Sequence, residues 1–116
     1  MKVNGVDIQK YFSITLVDDI ERAENALEKL GERFNDINNA SKRSEYFRKF
    51  CECVNDFFNE IIGEEASKEV LGDKLDIKIY TTALTDFVEG MQNDDEEEFK
   101  ELNIKLDKFN PSKVRK

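Results

Sequence analysis

The sequence predicts a mainly α protein: a small bundle of three to four helices with a short N-terminal β-hairpin. Three observations carry that reading. Apolar residues recur at alternating steps of three and four along most of the 116-residue chain, the period of a half-buried helix. An Asn-Gly pair stands between valines at the N-terminus, the composition of a tight hairpin turn. The five glycines and one proline sit singly, as punctuation between helices rather than as a linker.

The stretch Ser44–Gly63 is the most apolar. Phe47, Phe50, Val54, Phe57 and Ile61 form one stripe, and Tyr46, Phe58 and Ile62 widen it, so this helix must be covered on more than one side. Before it, Val3 and Val6 flank Asn4-Gly5 in the expected type I′ hairpin. Tyr11, Ser13, Thr15 and Val17 then alternate with Phe12, Ile14 and Leu16, which predicts a strand over 10–16 with the second set buried. Strands this short must lie on the helices or on a neighbour's sheet, and an exposed edge would be an assembly surface.

Asp18 with Glu21 has capping-box spacing. From there Ile20, Ala23, Leu27, Leu30, Phe34 and Ile37 make a near-heptad stripe of about 27 Å. Its plain reading is a seam of an intramolecular bundle; its sharper one is a two-chain coiled coil. Ser41 or Ser44 is the expected cap of the aromatic helix, and Gly63 its stop. A short helix over 64–71 turns Ala66, Val70 and Leu71 inward and closes at Gly72. Asp76 caps a fourth helix with Tyr80, Ala83, Leu84, Phe87, Val88 and Met91 inside.

The pattern lapses at the acidic run Asp94–Glu98 and resumes with Phe99, Leu102, Leu106 and Phe109. Residues 1–92 read as hairpin plus bundle. Residues 93–116 read as an acidic run and a basic amphipathic arm, either leaving the bundle or prolonging one solvated helix. The arm's apolar stripe is the expected partner-binding site, because the core has least need of it.

Chemistry finds little footing. With no His and only Cys51 and Cys53, a Cys/His zinc site is excluded. The two thiols point about 200° apart on a helix and cannot bridge each other. No phosphate-cradling glycine loop is present, and the acidic run lacks the alternating ligands and central Gly of a calcium loop. No catalytic residue, cofactor or metal is expected, and the chain reads as a non-enzyme. A net charge of -8 argues against general affinity for nucleic acid. The lack of a long apolar run argues against a membrane span, and the N-terminus lacks the regions of a signal peptide, so an intracellular protein is expected.

The opening Met1-Lys2-Val3-Asn4-Gly5, residues 47–91 and the closing KFNPSKVRK resemble the tail assembly chaperones of siphophages and prophages of Gram-positive bacteria. The order of Phe50-Cys51, Phe57-Phe58, Ile61-Ile62-Gly63-Glu64, Val70-Leu71-Gly72 and Leu84–Val88 carries the resemblance, with Asp73 where a second Gly is expected. It implies a helper that binds the apolar tape measure protein while tail-tube subunits polymerise around it. Such a helper would form a homo-oligomer, have the major tail protein as a further partner, work in the bacterial cytoplasm and be absent from the mature virion. Composition alone leaves a second class open, an acidic DNA mimic or anti-defence inhibitor.

Overall fold

The computed structural model describes residues 1–92, and within them the chain is mainly helical behind a two-stranded hairpin. Strands β1 (Lys2–Val3) and β2 (Val6–Asp7) pair antiparallel, Val3 opposite Val6 and Lys2 opposite Asp7. The two-residue turn between them has positive φ at both positions, 51° at Asn4 and 81° at Gly5, as a type I′ turn demands. Helices α1 (Val17–Ile37), α2 (Arg43–Ile62) and α3 (Glu64–Leu71) follow. A fourth, α4, runs from residue 77 to the end of the described chain.

Helix α2 is the centre. Cys51, Cys53, Val54, Phe57, Phe58, Ile61 and Ile62 are all buried, which spans about half its circumference at 100° per residue. Two helices share that arc. On one side α1 runs antiparallel to α2: Arg33 pairs with Asp56 at 2.7 Å, Lys29 with Glu60 at 3.2 Å, and Phe34 stacks on Phe50 with ring centroids 5.0 Å apart. On the other side α4 runs parallel to α2, with Tyr80 beside Cys51 and the Phe87 ring edge-on to Phe57 and Phe58 at 5.4 and 6.0 Å. Helix α3 makes the return between α2 and α4. The near-heptad seam is therefore an intramolecular one: Ala23, Leu30 and Ile37 are buried, Leu27 and Phe34 half-buried, and Ala26 joins them. Two alanines on the seam let α1 lie close to the bulky α2 face.

The hairpin lies on the helices. Val3 and Ile8 are fully buried, and Asn4 binds three places at once. Its side-chain amide donates to the Val70 carbonyl (2.9 Å) and the Ile79 carbonyl (3.1 Å), and its backbone N–H donates to Asp86 Oδ2 (3.0 Å). Those acceptors belong to α3 and α4, so one side chain fixes the hairpin across both. At the chain's start Met1 crosses α4 at Gly90, where a Cβ would come within 2.7 Å of Met1 Cγ.

The strand expected over 10–16 does not form. The Ile8 carbonyl accepts the N–H groups of Tyr11 and Phe12, both at 2.9 Å, and so starts a turn. Ser13 N–H donates to Asp19 Oδ2 at 2.8 Å, and the Ser13 hydroxyl lies 3.0 Å from that of Thr15. Local partners thus satisfy the backbone that a second strand would have satisfied. The face expected inside divides: Phe12 is buried against Phe87, Ile14 is half-buried and Leu16 is exposed.

The expected caps fare unequally. Helix α1 begins at Val17 with Leu16 as its N-cap and no side-chain cap bond. Its acidic residue Asp19 instead ties down the preceding loop, and with Asp18 it still places negative charge at the dipole's positive end. Neither serine caps α2. Lys42 holds that position, and Glu45 Oε1 reaches back to the Ser41 N–H at 3.3 Å, half of a capping box. Asp76 does cap α4, its Oδ1 accepting the Lys78 N–H at 3.0 Å. Gly63 ends α2 with φ 87° and ψ 165°, outside the αL region and in a region open essentially to glycine alone.

Candidate interaction surface

Among the described residues, those that could do chemistry are dispersed or buried. Cys51 and Cys53 are both buried free thiols on opposite edges of the α2 face. Cys51 faces α4, where Asp76 and Tyr80 lie, and Cys53 faces α1, where Arg33 lies. Burial pushes both thiols up; nearby carboxylates add to the shift and at Cys53 Arg33 opposes it, but both still favour the protonated, less reactive form. Cys53 borders a crevice of about 60 Å³ between α1 and α2, too small for a cofactor. A larger, open groove of about 450 Å³ is lined by Asp18, Glu21, Arg22, Asn25, Glu28, Lys29 and Glu60. It is a mixed-charge surface furrow with no convergent polar constellation. Among the described residues, no group of three or more Cys, Asp or Glu gathers to hold a metal ion. No described helix is long and apolar enough to cross a membrane.

What the described surface does present is apolar side chains at the two ends of the bundle. The helix directions put the end of α1 and the starts of α2 and α4 together. At that end Phe47, Leu75 and Ile79 are 37%, 46% and 40% exposed. Phe47 points along the middle of the α2 apolar arc, but one turn beyond Cys51, where the covering helices stop. Its neighbour Tyr46 meets it edge-on at 6.1 Å, and the stacked Phe34–Phe50 pair lies half-buried just inside. At the other end Leu16 and Val17 are 57% and 67% exposed. Between the ends the helix flanks carry interleaved charges: Arg22 pairs with Asp19 at 2.8 Å and Lys49 with Glu45 at 3.3 Å, besides the two α1–α2 pairs.

The sequence-expected binding residues Phe99, Leu102, Leu106 and Phe109 lie outside the described residues, as does the expected arm over 93–116. Periodicity did not flag the exposed side chains. Phe47 has the spacing of a core residue, and only the length of the covering helices leaves it open. Leu75 falls in a loop that periodicity does not describe. The role of Asn4 was also hidden, since its turn preference was legible but its long-range partners were not.

The described helical body buries its two thiols and leaves apolar side chains exposed at its two ends. The chain matches the family of unknown function DUF6673 over residues 4–116 and belongs to it. No curated protein and no solved structure matches it.

Proposed function

We propose that this protein is a non-enzymatic tail assembly chaperone that binds the tape measure protein and assists tail-tube polymerisation. The resemblance of its ordered packing motifs to such chaperones is the observation that carries the reading. The exposed Phe47, Leu75 and Ile79 support it, because an apolar tape-measure helix needs apolar surface to lie on. The proposed site is the stripe Phe99, Leu102, Leu106 and Phe109, working with the bundle end. Many weak contacts from a homo-oligomer would hold a long helix and release it when tube subunits compete. The working place is the bacterial cytoplasm, with the major tail protein as a further partner and the mature virion free of the chaperone.

Co-expression with the neighbouring tape-measure gene tests this. The tape measure should stay soluble and co-purify with the wild-type chain. A Leu102→Asp, Leu106→Asp double variant should keep the helical circular-dichroism signal and lose the partner. A tape measure equally insoluble with and without the protein would sink the proposal. The DNA-mimic alternative gains no support from the described surface, where Arg22, Lys29, Arg33 and Lys49 interrupt the carboxylates that a mimic would need in unbroken rows.

A further inference from the structure

We infer that Asn4 is a modification site, where loss of the side-chain amide releases the N-terminal hairpin from the bundle in one direction only. Asn4 is the one asparagine in the chain followed by glycine. Gly5 is exposed, and among the described residues nothing lies within 4 Å of the place where a Cβ would stand, so water reaches the peptide bond and no described side chain hinders its nitrogen. In the reaction the Gly5 backbone nitrogen loses its proton to solvent hydroxide and attacks Asn4 Cγ. The new N–Cγ bond forms, the Cγ–Nδ2 bond breaks, and Nδ2 takes a proton from water and leaves as ammonia, regenerating the hydroxide. Water then opens the five-membered imide. Attack at Cγ gives aspartate, and attack at the main-chain carbonyl gives isoaspartate. No oxidant, reductant or enzyme is required.

The geometry gives this ordinary chemistry a structural consequence. Both Nδ2 hydrogens are spent on the carbonyls of Val70 and Ile79, and the neighbouring backbone N–H holds Asp86. While docked, the amide cannot swing toward the Gly5 nitrogen without breaking both bonds, so the folded hairpin protects its own weak point. Once converted, the side chain has no hydrogen to donate. A carboxylate then faces two carbonyl oxygens with the Asp86 carboxylate close by, an arrangement that repels on every side. The isoaspartyl product also lengthens the two-residue turn and destroys its register. Release uncovers Val3 and Ile8, which are fully buried while the hairpin is docked.

The experiment follows the full chain at neutral pH and 37 °C, in buffer and in urea, by peptide mapping that separates Asn, Asp and isoAsp at position 4. Conversion should be roughly tenfold or more slower in buffer than in urea, because it waits for the hairpin to open. Hydrogen exchange on the aged protein, and on Asn4→Asp, should show lost protection over residues 1–8 with α2 protection kept. Equal rates in buffer and urea would overturn the protected-site claim. Undiminished hairpin protection in converted protein would overturn the release. If Asn4→Asp fails to fold, the comparison of rates and the exchange of the partly aged wild type still decide both points.

Discussion

At the scale of single residues, two positions hold energy that their neighbours do not explain. Ser67 is 1% exposed and, among the described residues, its hydroxyl has no hydrogen-bond partner. A buried donor left unpaired costs about 1–3 kcal/mol, more than the packing that one oxygen atom supplies. Ser67→Ala should therefore stabilise the protein by about 1 kcal/mol, raising the thermal midpoint by a few degrees in a scanning-calorimetry trace. A drop instead would show that the hydroxyl is satisfied in solution. Gly63 is the opposite case. Among the described residues nothing lies within 4 Å of the Cβ it lacks, so sterics from neighbours predict a harmless substitution. Its φ of 87° with ψ of 165° predicts otherwise, since an L-residue there is strained by about 1–3 kcal/mol. Urea unfolding of Gly63→Ala should show a loss of that size, and a neutral result would mean that the α2–α3 junction relaxes.

At the scale of elements, α2 decides how the rest is laid down, and its two cysteines report on both interfaces. Burial raises the thiol of each above its usual 9.0, and raises Tyr80, on the facing helix, above its usual 10.0. The unfolded chain sheds these protons at lower pH than the folded one does. Their stabilising contribution is thus whole below the ordinary thiol range and is lost as pH climbs through the raised folded values. Thermal midpoints should decline as pH passes upward from 9.0. Cys51→Ala with Cys53→Ala should flatten the first part of that decline and leave the part due to Tyr80. The same helix shows what was legible in sequence. Its apolar arc short of Phe47, the seam of α1, the α4 positions Tyr80, Ala83, Leu84, Phe87 and Met91 and the Asn4-Gly5 turn all follow from local spacing, and each stands in the structure. The segment 10–16 did not, because alternation alone cannot see that Asp19 reaches back to Ser13. The capping box expected at Asp18 does not form, because the helix already begins at Val17 with Leu16 as its N-cap. Side chains that act over a distance, Asn4 above all, leave no periodic trace.

At the scale of the whole molecule, the body's ends differ from its flanks. The flanks carry exposed ion pairs such as Arg33–Asp56, and a pair of this kind is worth about 0–1 kcal/mol. Their removal should hardly move stability, while removing the Phe87 ring from the junction of Phe12, Phe57 and Phe58 should cost about 3–5 kcal/mol. The ends follow a third rule. Phe47 and Leu75 are only 37% and 46% exposed, so replacing both with Asp gives up about half the burial of two large side chains and should cost about 2–3 kcal/mol, with the helical circular-dichroism signal kept at low temperature. If the bundle end serves association, that variant should elute as a smaller species in size-exclusion chromatography with light scattering and capture less tape measure. Comparison with Leu102→Asp, Leu106→Asp separates two designs. Loss of binding in both variants means that the end and the C-terminal stripe form one contact. Loss only in the stripe variant leaves Phe47 and Leu75 as the unsealed edge of a core, with no partner to cover them.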